Sequence, residues 1–482
     1  MLGVVVLLHL LAWSRAQKEL LVYPSVVEER TTDTNLVLRV SDDITLNLEK
    51  SSVLAERLLF VTDAGSAYHL ETIDTASIQE NIYHDAHHQS SVHVHHEDGA
   101  LRIEGIINHK LRIKPLAEAE RSSQGQILHS LYETEEIKED PKKLASDPHL
   151  HLWNTLSSNL NFLHSALTPR PRNVSSFVVE LHIISDEEHQ DHFRTKEELI
   201  TYLGVMTNAV NLRFLDMKTP SISFKLVGVT NSTNDNTFES HMVGIVEANE
   251  TLYRLKDYYK NIVPGNPDVV YLITNRNLAS ISQNGTVNKN VAGLAFVGGV
   301  CTHARVAEGE DIAKSYDGVH TMAHELAHSV GAQHDSQEVN AECPWSKGFL
   351  MSYEDKGANK YYLSPCNKRQ IKEVVQSRTE ECIKEVAKTK IMVDPKFLPG
   401  QKVSEFRYCN MIMKERRVVA YAKKIPKLNS KCKMMCCYQI REKTRDESII
   451  SVKTMCREVD ILEGMSCGIG KTCKRGECAN HG

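Results

Sequence analysis

Cysteine is missing from the first 300 residues of this 482-residue chain; all twelve cysteines lie at or after Cys301. The N-terminal part therefore has no disulfide staple and no thiolate to offer a metal. Beyond an apolar leader, no stretch approaches the roughly 18 uninterrupted apolar residues that a membrane-spanning helix needs. Charge of one sign is lacking too. A formal net charge of −5 argues neither for nucleic acid nor for a membrane surface as partner. Paired C-x-x-C spacings are absent, which makes a zinc-finger reading of the late cysteines poor.

The leader is the first positive feature. Residues 1–16 carry an apolar core from Val4 to Trp13, and Ser14-Arg15-Ala16 puts small residues at the positions a signal peptidase reads. A secreted mature chain is expected, and an even cysteine count fits an oxidising compartment. Four N-x-S/T sequons, at Asn173, Asn231, Asn249 and Asn284, are candidate glycan sites. The length allows three modest domains.

Residues 17–172 show alternating, strand-like runs at Asn35–Val40, Ile44–Leu48 and Ala100–Ile106. They also carry a histidine tract, His84, His87, His88, His93, His95 and His96. Such a tract can bind metal, and alternation on an exposed strand explains it as well. A Pro-rich basic linker, Thr168-Pro169-Arg170-Pro171-Arg172, is the expected processing region.

Residues 173–392 read as strand, helix, strand, helix, strand: 177–184, 196–217, 222–229, 251–261 and 268–274. An edge strand at Gly293 and a further helix follow, giving an α/β sandwich with a mixed sheet. That further helix carries the segment that dominates the chain, His324-Glu325-Leu326-Ala327-His328-Ser329-Val330-Gly331-Ala332-Gln333-His334-Asp335. Histidines four apart lie one above the other on a helix face, so both imidazoles reach one metal ion. Asp317 is the expected N-cap. Gly331 supplies the left-handed residue that ends the helix and turns the chain to present His334. Three neutral nitrogen ligands with one position left open is the catalytic arrangement of zinc. Glu325 is placed to take a proton from an attacking water.

This segment resembles the zinc signature of the metzincins, and Asp335 after the third histidine resembles the reprolysin (adamalysin, ADAM-like) branch. Phe349-Leu350-Met351-Ser352-Tyr353 sits where that family has its Met-turn. Tyr362 to Ile371 is similar to its F-S-P-C-S-x-R-x-I segment, and Gly293 to Cys301 to its substrate-binding edge strand. The resemblance covers roughly Ser175 to Cys382. It implies an α/β (α+β) metzincin catalytic domain over 173–392, a β-rich pro-domain over 17–172 and a small disulfide-rich module over 393–482. It further implies zinc on His324, His328 and His334, Met351 as a floor under the imidazoles, and disulfides Cys301–Cys382 and Cys343–Cys366. Glu180 and Asp268, with the carbonyl of Cys382, match a family calcium site. Glu385 stands where an asparagine is usual, and an ordinary ion pair accounts for these acids equally well. The N-terminal region departs from the pattern, because many such pro-domains hold a cysteine and this one has none.

The tail has eight cysteines between Cys409 and Cys478, excess basic residues, no R-G-D tripeptide and no separate disintegrin module. It resembles the tail of tick salivary gland metalloproteases. That likeness implies host fibrin(ogen), fibronectin and gelatin-like matrix as substrates of a secreted endopeptidase with an anti-haemostatic role. The rival expectation is a secreted binding factor acting through the tail, with a weak or latent protease domain.

Overall fold

The protein is described from a computed structural model. It describes residues 19–29, 35–63, 68–116, 121–123, 125–134, 172–232, 238–242, 244–282, 284–336, 342–352, 354, 357–385, 399–413, 418–443, 450–474 and 476–480. The leader at 1–16 and the linker up to residue 171 lie outside these.

The central feature is a seven-stranded mixed sheet. Its strands are β1 (Leu54–Asp63), β2 (Tyr68–Asp74), β3 (Ser176–Ser185), β4 (Ser221–Ser232), β5 (Val269–Thr274), β6 (Gly293–Ala295) and β7 (Val306–Glu310), in the spatial order β6-β7-β5-β3-β4-β1-β2. The inner pairs are parallel, and the two outermost pairs are antiparallel. β3 and β5 are buried along nearly their whole length, as near-continuous apolar runs in a two-sided sheet require. The main helices are α1 (Lys196–Phe214), α2 (Ala248–Ile262), α3 (Val319–Ser329), α4 (Pro365–Ser377) and α5 (Glu380–Ile383).

α4 and α5 follow closely in sequence but are not one continuous helix. Ser364 caps the first together with Pro365, and Thr379 opens the second by accepting from the Cys382 N–H. One expectation is corrected: Asp317 is not the N-cap of the active-site helix. Gly318 holds that position, and its N–H is bound by Asp311 Oδ1 at 2.8 Å, from the loop after β7. A side chain seven residues upstream in sequence does the capping, which local spacing does not reveal.

β1 and β2 come from the N-terminal region. β1 runs parallel to β4, and Leu54, Leu58, Phe60, Ile73, Ile78 and Ile82 are buried in one core with α1, α3 and the catalytic strands. The boundary drawn at 172 therefore cuts across a single sheet. The other described strands of the N-terminal region form a nine-stranded antiparallel sheet containing the runs at 35–39, 100–106 and 111–115. Among its described residues the tail has two three-stranded sheets and four disulfides: Cys409–Cys436, Cys432–Cys473, Cys437–Cys456 and Cys467–Cys478. Its small core also takes in Val37 of the N-terminal sheet.

Candidate active site

α3 lies against β6 and β7, with Met322, Ala323, Leu326 and Ala327 fully buried. This apolar stripe fixes the rotation of the helix, so His324 and His328 emerge together on the adjoining face. Val330 ends the helix and Gly331 follows at φ +120°. A Cβ on Gly331 would also lie 2.5 Å from a methyl of Val374 in α4. The glycine serves both the turn and the close approach of the next helix. The chain then carries His334 back towards the first two imidazoles.

The three Nε2 atoms converge: His334 lies 2.9 Å from His324 and 3.1 Å from His328. The other ring nitrogens have fixed roles. His324 Nδ1 donates to the Leu350 carbonyl at 2.9 Å, and His328 Nδ1 donates to the Ala332 carbonyl at 2.8 Å. Donation at Nδ1 leaves Nε2 as a lone pair on both rings. Burial, reinforced by the neighbouring imidazoles, holds His324 and His334 well below the usual histidine range, and burial lowers His328 to about 4. Neutral bases pointing lone pairs at one another from such distances repel unless a cation lies among them. The donor set therefore fits a divalent metal with nitrogen preference.

Glu325 is buried beside this cluster, and its Cγ would lie 2.8 Å from a Cβ on Gly293 of β6. Any side chain at 293 would displace the carboxylate or the strand, a constraint the sequence alone did not show. β6 is the edge of the sheet, and no strand among the described residues pairs with its outer side. The segment after it is tied to the end of α3, since Gly298 N–H donates to the His328 carbonyl and Val300 N–H to that of Ser329. The edge and the histidines are thus held in register.

Met351 is fully buried in the main core, and its carbonyl accepts from Asp335 N–H at 2.8 Å. With Leu350 bound to His324, the turn supports two of the three histidines through backbone atoms. Cys301 is bonded to Cys382 and Cys343 to Cys366. His303 is exposed.

The acids expected at a calcium site come together with a lysine among them. Asp268 Oδ2 accepts from Glu180 N–H at 2.9 Å, while Glu385 pairs with Lys225, which stands opposite Glu180 in the sheet. Burial raises Asp268 to about 7. Of the sequon asparagines, Asn173 and Asn284 are exposed and Asn249 is half-buried. Asn231 is held within the sheet between Ser185 and Thr62, with its Oδ1 buried.

Comparison with known proteins agrees with this geometry. The pattern of metallo-peptidase family M12, of reprolysin type, matches residues 175–374. The chain is 27% identical to the venom metalloproteinase antarease TserMP_A of Tityus serrulatus, over 75% of this chain and 92% of that one. It is 29% identical to venom metalloproteinase BumaMPs1 of Olivierus martensii, over 76% and 92%. To the antarease-like venom metalloproteinase TfasMP_A of Tityus fasciolatus it is 31% identical, over 43% and 95%. These relatives are venom proteins, and they give the likeness to tick saliva no support. A histidine triad on a buried helix, a carboxylate beside it and this kinship identify the chain as a member of metallo-peptidase family M12, a metalloprotease of the reprolysin type.

Proposed function

We propose that the protein is a secreted zinc endopeptidase that cleaves extracellular proteins presented as an extended strand. The observation that carries this reading is the convergence of three neutral Nε2 atoms beside Glu325 and an open sheet edge. His324, His328 and His334 hold the zinc, which supplies Lewis-acid polarisation of the scissile carbonyl. A peptide adds to β6 by backbone hydrogen bonds, which bind any sequence in extended form and leave side-chain preference to neighbouring pockets. Glu325 takes the proton of the attacking water and returns it to the leaving amine. Its burial against Gly293 fixes where that proton is held.

The venom relatives support secretion and extracellular protein substrates, with fibrinogen, fibronectin and gelatin as the substrates to try. Residues 1–16 act as the signal, 17–172 as the pro-region, 173–392 as the catalytic unit and 393–482 as the cysteine-rich module. Lys225 takes the place of a calcium ion between Glu180 and Glu385. In the test, purified protein and Glu325→Ala are compared on fibrinogen and gelatin, with and without a zinc chelator. Cleavage lost with both supports the reading. Stoichiometric zinc without cleavage turns the protein into a binding factor acting through its tail.

A further inference from the structure

The histidine tract at 84–96 does not lie on one exposed strand. His93 is buried and His95 half-buried, their rings 4.7 Å apart, while His96 is exposed. His87 and His88 project instead from the turn between strands 82–85 and 90–97 and meet the tail. There His88 Nε2 lies 3.3 Å from Asp460 Oδ2, and His87 Nε2 lies 3.9 Å from Asp460 Oδ1. The donor atoms of all three residues fall within 4.8 Å of one another.

We propose that His87, His88 and Asp460 form a second divalent-metal site, of zinc type, clasping the N-terminal sheet to the cysteine-rich tail. Three observations support it. First, the donor set is two imidazoles and one carboxylate, which suits zinc and similar borderline ions. Tetrahedral ligands about 2.0 Å from such an ion are roughly 3.3 Å from one another. The His88–Asp460 separation already has this value, and the His87 separation is too long for a hydrogen bond.

Second, the turn is built to aim His88. Asp85 is buried; its Oδ2 receives the Asn47 N–H at 2.7 Å and lies 3.0 Å from His88 Nδ1. Its Oδ1 accepts the N–H groups of His87 and His88 at 2.9 and 3.2 Å. A carboxylate on the far nitrogen fixes the tautomer, orients the ring and raises its basicity as a ligand. Third, the tail is shaped to receive the pair. Gly476 has φ +73°, and a Cβ there would lie 1.7 Å from His87 Nδ1, so only glycine admits this ring.

Nearby contacts place the same two surfaces together without a metal. Arg457 lies 3.8 Å from Asp42 and 3.7 Å from Asp43, and Arg39 donates to the Ile412 carbonyl at 3.5 Å. Lys433 Nζ is 4.0 Å from Asp460 Oδ1 and competes for that carboxylate. The site therefore adds to an existing interface rather than creating it.

The test is zinc content of the full-length chain after equilibration with zinc and gel filtration, in a Glu325→Ala background that prevents self-cleavage. Two zinc ions per chain are expected. One should remain in His88→Ala and in Asp460→Asn, and one also in His328→Ala, which removes the other site. Cobalt substitution gives a second readout, since the His88→Ala difference spectrum should show nitrogen and oxygen ligands only. Asp460→Asn keeps the shape of the strand end and guards against loss by misfolding. If the parent binds one ion, or if Asp460→Asn and His88→Ala both keep two, the cluster is an ion pair and the proposal falls.

Discussion

The hydroxyl of Ser364 donates to Asp335 Oδ1 across 2.7 Å, joining the residue after the third histidine to the N-cap of α4. Both residues are fully buried. Through this contact the position of His334 depends on a helix that itself holds no metal ligand. Asp335→Ala leaves the Ser364 hydroxyl buried with one acceptor fewer, at a cost of about 1–3 kcal/mol. Metal retention should fall about tenfold or more, as for other residues that orient ligands. Asp335→Asn keeps an accepting oxygen and should retain most of the zinc. Equilibrium dialysis against a zinc chelator separates the two variants.

Gly331→Ala should be among the most damaging single methyl additions in the chain. It forces a side chain into φ +120° and brings its Cβ within 2.5 Å of Val374. Strained backbone and overpacking each cost about 1–3 kcal/mol. Adding Val374→Ala relieves the clash and not the backbone. The double variant should recover part of the lost melting temperature and little of the peptidase activity, because His334 stays displaced. Full recovery of both would show that packing alone selects the glycine.

Asp268 gives the fold a pH dependence with a defined sign. Burial raises its folded-state value to about 7, above the ordinary carboxylate value near 3.9. A carboxyl raised on folding contributes most below about pH 4, and that contribution is lost as pH climbs through about 7. Stability to urea should therefore decline across this window at constant zinc, and Asp268→Asn should flatten the decline. If millimolar calcium restores stability at pH 8 in the parent and not in Asp268→Asn, a hard cation binds there. Lys225 would then have to be displaced from Glu385.

The histidine triad was legible because a helix repeats its faces at fixed intervals, and His324, His328 and Gly331 obey that rule locally. The buried strands at 176–185 and 269–274 were legible for a similar reason, as short apolar runs. What stayed hidden depends on contacts distant in sequence. Asp311 caps α3 through Gly318, Gly293 makes room for Glu325, and Asp460 meets His88 only once two sheets are assembled. β1 was hidden in another way. Leu54–Asp63 looks like any half-apolar strand, and nothing in its pattern names β4 rather than an N-terminal strand as its partner.

That pairing leads to the last prediction, on the fate of the N-terminal region after processing near Arg172. Residues 54–74 supply two strands to the catalytic sheet, and Leu54, Leu58, Phe60 and Val61 are each no more than 4% exposed. Each such side chain contributes about 1.5–3 kcal/mol by burial. Four together are comparable with the whole stability of an ordinary domain, about 5–15 kcal/mol. Asn208 and Arg213 of α1 add bonds to Ser91 and Gln89 at 2.9 and 2.6 Å. A single cut in the linker should therefore leave one particle on gel filtration that separates only in denaturant. A chain beginning at residue 172 should be insoluble or melt far below the full protein, and co-expression with residues 17–171 should rescue it. If the short chain folds with an unchanged melting temperature and cleaves gelatin, then β1 and β2 are dispensable edges and the N-terminal region is a detachable cover.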